Sequence, residues 1–499
     1  METLSQHLRH VLTIDPAAVA VEAEGRTWTW GNIADAADAI ERSLQAAGVA
    51  PNAPIGWMAH NRAASVASFV SLVIHGRMVV PFRPRQSEAG LQAELAAQQL
   101  EAVVAHADDW RSGPMVVAAG ETGTAGVSVD DEDGFQVTLV PSLSVVGAVP
   151  HRAPMQGQVM ERLTSGTTGP PKRVPVTEEV LLPALRAGEQ SSEATDTAAL
   201  TLKKSPAILL KPFSHAGGLF GLLLALYQAR PMVLLDRFEP LEWASIVQKY
   251  RPKAASLVPA MIRMILDEEI DQAKLASLTA IRSGTAPLDP MMQLEFERRY
   301  GIPILIDYGA AEFIGGIAGW SLKDHRLYSE SKRGSVGRIR HDVKLRLTSP
   351  TTGEEVPTGE VGIVNLHSHR FGPDWHKTND LASLDQDGFL FLRGRTDDAI
   401  NRGGFKIVPE EVVAVLIRFP GVREAAVVGK SDARLGEVPV AALRMIEGTS
   451  APDPASLEKH LRQYLAAYMI PTAFRFVEDL PRTASLKIDR PAVKALFAN

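Results

Sequence analysis

The sequence predicts an α/β protein: a large N-terminal domain of β/α layers with a β-rich subdomain, followed by a smaller C-terminal domain. Three observations predict it. Helical and strand-like runs alternate through the first 110 residues and again over residues 207–303, which implies a parallel sheet covered by helices. Over residues 334–391 short alternating runs replace the helical period, the pattern of a small β-rich subdomain. From about Asp398 onward the chain reads as a separate lobe.

Each element has its own signal. Residues 30–47 place apolar side chains at helical spacing and stop at Gly48, a C-cap residue. Residues 54–58 form a short apolar run that predicts a strand. Residues 63–75 predict a second helix ending near Gly76, followed by a strand over 78–82. Residues 112–154 are rich in Gly, Val, Asp and Ser without a sustained helical period, so strands and a variable connection are expected there. Residues 217–227 are apolar but shorter than the roughly 18 residues a membrane span needs, and predict a buried helix. Residues 343–347 and 361–366 alternate as strands.

Composition narrows the function classes. The chain has 499 residues, 45% hydrophobic and 22% charged, with a formal net charge of −6. Such mild acidity offers no broad attraction for nucleic acid or an anionic membrane. There is no cysteine, which excludes disulfides, thiolate metal sites and a cysteine nucleophile. The opening Met1-Glu2-Thr3-Leu4-Ser5-Gln6-His7 lacks a basic region followed by an apolar run, so no signal peptide is expected and a cytoplasmic location is. His367, His369 and His376 invite a metal reading, because His-x-His on a strand shares a face. No third or fourth ligand stands at a recognisable spacing, and no zinc site is expected.

The richest segment is Leu163-Thr164-Ser165-Gly166-Thr167-Thr168-Gly169-Pro170-Pro171-Lys172-Arg173. Glycines let backbone N–H groups converge on an anion, hydroxyls add donors and Lys172 adds charge. The spacing G-x-x-G-x-x-K differs from the Walker loop, and Arg173 stands where that loop carries Ser or Thr. Five more segments follow in order: Ile306-Asp307-Tyr308-Gly309-Ala310-Ala311-Glu312; Trp375 to Leu381, containing Asn379-Asp380; Gly394-Arg395-Thr396-Asp397-Asp398-Ala399-Ile400; Asn401 to Glu411, containing Gly403-Gly404; and Pro481 to Arg490, containing Leu486-Lys487. Together they resemble the signatures of the adenylate-forming superfamily, in its acyl- and aryl-CoA synthetase branch, across essentially the whole chain.

The resemblance implies an ATP- and Mg²⁺-dependent enzyme that converts a small carboxylic acid to an acyl-adenylate, releases pyrophosphate and passes the acyl group to a thiol, with coenzyme A as co-substrate. A carrier protein or separate enzyme is the alternative acceptor, and a non-catalytic adenylate binder the alternative of another class. The implied domains are an adenylation domain over 1–396 and a mobile α+β domain over 397–499, hinged at Asp397. ATP contacts fall to Thr164, Ser165, Gly166, Thr167, Thr168, Lys172, Gly284, Thr285, Ala286, Asp307, Tyr308, Gly309, Asp380, Arg395 and Lys487. Glu312 would hold Mg²⁺, and Asp380 would accept hydrogen bonds from the ribose. Lys487 would offset charge between carboxylate and α-phosphate. Phe213, His215, Ala216, Gly284, Gly309, Ala310 and Gly315 would line the acyl pocket, with Gly316 adding room for a ring system. Gly403 and Gly404 would admit a pantetheine arm. Ala216 stands where amino-acid-activating relatives carry Asp, so an acid without an α-amino group is expected.

Three positions depart from the family pattern. Ala311 replaces a Thr whose hydroxyl would touch the α-phosphate. Asn379 replaces Gly before Asp380, at a turn that Asn tolerates through its access to left-handed backbone. Leu486 replaces Gly before Lys487 and puts the local turn in question.

Overall fold

A computed structural model describes residues 2–498 except 85, 112, 156, 164–172, 191–199, 310–312, 314, 369, 371–373 and 484. Two compact units emerge: residues 1–255, 268–279 and 309–315 in one, and residues 256–267, 280–308 and 316–499 in the other.

The first unit carries a seven-stranded sheet in the order Gln136–Leu139, Ala125–Asp130, Ala102–His106, Pro54–Met58, Met78–Phe82, Gln158–Leu163, Arg173–Thr177. The five central strands run parallel and both edge strands antiparallel. Alternate residues serve opposite faces: Val79, Ala102 and Val104 join one apolar cluster, while Val80, Val103 and Ala105 join another. A four-stranded sheet, Ala207–Leu209, Met232–Leu234, Val19–Ala23 and Arg26–Thr29, lies in the same unit. The helix Ala63–Ile74 touches strands of both sheets. Each of its residues is buried, which is why it carries no charged residue on any side and only serine hydroxyls among its polar groups. The expected helices at 30–47 and 63–75 are Trp30–Ala46 and Ala63–Ile74, and the strands at 54–58 and 78–82 stand as read.

One expectation fails. Within 112–154 the chain forms a helix, Gly113–Glu121, besides strands. Its buried residues are Met115, Ala118 and Ala119. That i, i+3, i+4 pattern is helical, but two of its three members are alanines, whose weak hydropathy hides the period.

In the second unit the strands Ala280–Ser283 and Ile304–Tyr308 run parallel, and Ala318–Gly319 and Arg338–Ile339 add antiparallel. The β-rich subdomain is an antiparallel sheet of Lys344–Thr348, Gly362–His367, His376–Leu384 and Leu390–Arg395. The C-terminal region is α+β. Its long hairpin, Val422–Asp432 with Gly436–Met445, is extended by Ile400–Arg402, Phe405–Ile407 and Phe474–Val477. Val427, Ala441 and Leu443 face Val412, Leu457 and Leu461 of two helices, while Ala426, Val428 and Val440 face Val493 and Phe497. Covering both faces with helices makes this a core of its own.

Candidate active site

The neighbouring strands His376–Leu384 and Leu390–Arg395 pair Asp380 with Arg395. Arg395 Nη1 donates to Asp380 Oδ1 at 2.9 Å. The Tyr308 hydroxyl, at the end of its own strand, donates to the other oxygen, Asp380 Oδ2. Both Tyr308 and Asp380 are buried. A carboxylate has about four lone-pair sites, so Asp380 keeps acceptor capacity for hydroxyl donors. Arg395 also forks onto Asp397, with Nε to Oδ1 and Nη2 to Oδ2 each at 2.9 Å. Asp397's hydrogen bonds hold the Arg395 guanidinium firmly protonated against its burial. Burial pushes the Asp397 carboxyl up, but Arg395 and Asn379 outweigh it and hold it below the usual carboxylate range. Its neighbour Asp398 goes the other way: burial, only partly offset by Arg490 at 2.8 Å, raises it. Tyr308 thus joins Asp380, Arg395 and Asp397, more than seventy positions further along the chain, in one bonded network.

Next to Tyr308's strand, Gly284 follows the strand Ala280–Ser283. A Cβ at Gly284 would lie 2.7 Å from the Asp307 carbonyl oxygen, so only glycine allows this approach. Thr285 then adopts φ +74, a strained value for a β-branched residue. The buried hydroxyls of Ser283 and Thr285 have no hydrogen-bond partner among the described residues. Buried hydroxyls are rarely left so, and this pair suits a ligand with polar edges. Asp307 is engaged by two arginines, Arg282 at 3.2 Å and Arg340 at 3.0 Å.

In the first unit, Phe213 is fully buried and stacks on Trp57 with ring centroids 6.3 Å apart. Its N–H donates to Asn61 Oδ1 at 3.0 Å. His215 is the N-cap of the helix Ala216–Tyr227, and its Nδ1 accepts from the Gly217 N–H at 3.2 Å. Ala216 opens that helix. The phosphate-loop residues Thr164 to Lys172 and the acidic segment Ala310 to Glu312 lie outside the described residues. The strands flanking the first of these pair Leu163 with Arg173. Arg173 is bound to Glu94 and, at 3.3 Å, to Glu161, and lies over Phe82.

Two motifs sit on tight turns of the C-terminal region. Gly403 and Gly404, with φ +56 and +90, form the two-residue loop of the hairpin that pairs Arg402 with Phe405. Both φ values are positive, as the hairpin turns matching strand twist require, so backbone geometry alone explains both glycines. Leu486 carries φ +60. The turn survives there without glycine: Leu486 N–H donates to Thr483 O at 2.9 Å, and Thr483 N–H to Lys487 O at 2.8 Å. Lys487 itself is half-buried.

Residues 8–370 match the AMP-binding enzyme family, and residues 411–487 match the AMP-binding enzyme C-terminal domain. The chain belongs to this family, within the adenylate-forming superfamily. A 2-succinylbenzoate–CoA ligase of Geobacillus kaustophilus is 27% identical, covering 100% of this chain and 99% of the relative. An oxalate–CoA ligase of Arabidopsis thaliana is also 27% identical, over 99% of each chain. Among solved structures, the o-succinylbenzoate CoA synthetase of Bacillus subtilis bound to its acyl-adenylate superposes with a TM-score of 0.78. It is 23% identical and covers 98% of this chain and 97% of that one. At that identity it speaks for the fold.

For this AMP-binding enzyme, one sequence expectation needs correcting. Asn379 occupies no left-handed turn: it lies inside the strand His376–Leu384 and is absent from the positive-φ residues. The extended backbone there suits any residue, so tolerance of a turn does not explain Asn. Its amide instead donates to Asp397 Oδ2 at 3.1 Å. Sequence reasoning assigned no role to Asp398 or Arg490. Only the acidic doublet Asp397-Asp398 was a visible signal, since the partners come from distant segments.

Proposed function

We propose that this AMP-binding enzyme activates a small carboxylic acid with ATP and transfers the acyl group to coenzyme A. The observation that carries the reading is the buried Asp380 carboxylate, fixed by Tyr308 and Arg395, with the hydroxyls of Ser283 and Thr285, at the end of the strand next to Tyr308's, lacking a hydrogen-bond partner among the described residues. A carboxylate held by two donors, with lone pairs to spare, is preorganised to accept ribose hydroxyls. The hydroxyls around Gly284 would meet the polar edge of adenine. Thr164, Ser165, Thr167, Thr168 and Lys172 would hold the phosphates, and Glu312 would hold Mg²⁺, which supplies neutralisation of phosphate charge. Lys487 would bring its ammonium to the meeting point of acid and α-phosphate. The CoA ligases that align over the full length support thiol transfer, and Gly403-Gly404 would give the pantetheine arm a side-chain-free approach. The 397–499 region would move about Asp397 between the two half-reactions, because both Lys487 and the glycine pair lie on it.

The test is ATP–pyrophosphate exchange over a panel of acids, repeated as a product assay with and without coenzyme A. Lys487→Ala should lower adenylation by about 10²–10³, the usual loss for one electrostatic stabiliser. Thioester formation from pre-made acyl-adenylate should be far less affected. Equal losses in both steps would make Lys487 structural. Acyl-adenylate that forms normally but gives no coenzyme A product would move the acceptor to a carrier protein.

A further inference from the structure

We propose that Asn379 is a latch on the hinge: its side-chain amide fastens Asp397 to the adenylation domain and biases the orientation of the C-terminal domain. The proposal rests on the two-half-reaction reading above. Three contacts converge from Asn379 onto the residues where the chain leaves the β-rich subdomain. Its carbonyl accepts from the Thr396 N–H at 2.8 Å and the Thr396 hydroxyl at 3.3 Å, and its amide donates to Asp397 Oδ2 at 3.1 Å. Only the third requires a side chain. A glycine at this position would keep the first two and lose the last.

The acidic doublet is fastened on two sides. Asp397 binds Asn379 and Arg395, both on the subdomain strands. Asp398 binds Arg490 at 2.8 Å, three residues beyond Lys487, and Arg490 also binds Glu410 at 2.7 Å. Rotation of the backbone at 397 carries Asp398, Glu410 and Arg490 together, so it parts the Asp397 carboxylate from Asn379 or Arg395 and Asp398 from Arg395 Nε, 3.7 Å away. Hydrogen bonds to a charged acceptor are the stronger kind. Asn379 is therefore a fastening at the hinge that can be removed without touching Asp380 or Arg395, the residues proposed to meet the nucleotide, while the pairs of Arg423 and Arg444 with Asp267 stay in place.

The chain contains no cysteine, so a Lys344→Cys, Glu447→Cys pair, at exposed positions of the subdomain and the C-terminal region, takes spin labels without background. Pulsed dipolar distances are measured in this labelled protein and after adding Asn379→Ala or Asn379→Asp. Asn379→Ala removes the donor, and Asn379→Asp sets a like charge against Asp397. The latch predicts that the ratio of major to minor distance populations falls about three- to tenfold with Ala and further with Asp, with Tm nearly unchanged. Overlapping distributions in all three proteins would overturn it. The functional reading fails separately: it would fall if the parent protein showed no pyrophosphate exchange with any acid, whatever the labels report.

Discussion

Around Arg62 and around Arg395 the chain gathers the same kinds of side chain, an arginine among aspartates, yet the two clusters do different work. In the first unit Arg62 binds Asp108 at 2.8 Å and the His106 ring at 2.9 Å, and His106 Nε2 meets Asp131 Oδ1 at 3.2 Å. Asp131 Oδ2 also accepts the Ala64 N–H at 2.7 Å. It thus caps the buried helix Ala63–Ile74, whose own N-cap residue, Arg62, makes no side-chain capping bond. His106, Asp130 and Asp131 converge closely enough to suggest a metal. Arg62 already supplies the positive charge there, so the cluster reads as a helix cap. Around Arg395 the acceptors are not used up: Asp380 retains lone pairs, and hydroxyls without a partner among the described residues stand at the end of the strand next to Tyr308's. Spare bonding capacity, more than charge, separates a site from a brace.

The largest expected effect comes from exchanging Asp for Ala in each cluster. Asp380→Ala should lower kcat/KM for ATP by about 10²–10³ while the protein still folds. Asp131→Ala should leave kcat/KM within about twofold and cost about 3 kcal/mol of stability, because it strips the cap and breaks a buried charge pair. Steady-state kinetics and urea denaturation on both variants decide it. A Tm collapse for Asp380→Ala with normal kinetics at low temperature would reverse the assignment.

How much of this was legible in the sequence follows from where the partners come from. Asp380, Arg395 and Asp397 lie within 17 positions of one another in recognisable motifs, and the motifs pointed to them. The bond from Asn379 to Asp397 depends on strand register, which places 379–380 opposite 395–396. No periodicity reports that pairing. The cap from Asp131 to Ala64 likewise joins two elements that only the parallel sheet brings together. The helix Gly113–Glu121 was hidden because alanines carry its buried face. Fold class needed only the alternation of elements, which is local, and so it was read fully.

A smaller effect separates the clusters by pH. Burial opposes protonation of His106, and so does Arg62, but Asp131 and Asp108 outweigh them and raise it above the usual histidine value. A group whose folded pKa is raised stabilises fully below its unfolded value and loses that contribution as pH rises through the folded one. Stability should therefore decline from about pH 6.5 upward through this residue. The difference in Tm between the parent and His106→Gln should shrink between pH 6 and pH 8.5. A difference that stays constant would show that the histidine is neutral throughout and that Asp131 acts only as a cap.

The smallest effect concerns Leu486, where strain rather than charge sits beside a proposed catalytic group. At φ +60 its Cβ crowds the backbone, which costs about 1–2 kcal/mol for a residue other than glycine. Leu486→Gly removes that cost, while the added freedom of glycine in the unfolded chain returns part of it. The net expectation is a stabilisation of about 0.5–1 kcal/mol in urea denaturation. The turn is already closed by the Thr483 bonds to Leu486 and Lys487, so the ammonium's position should not change and adenylation should stay within about twofold. If adenylation rises tenfold instead, the leucine holds Lys487 away from its productive position, and this departure from the family pattern tunes rate rather than merely straining the fold.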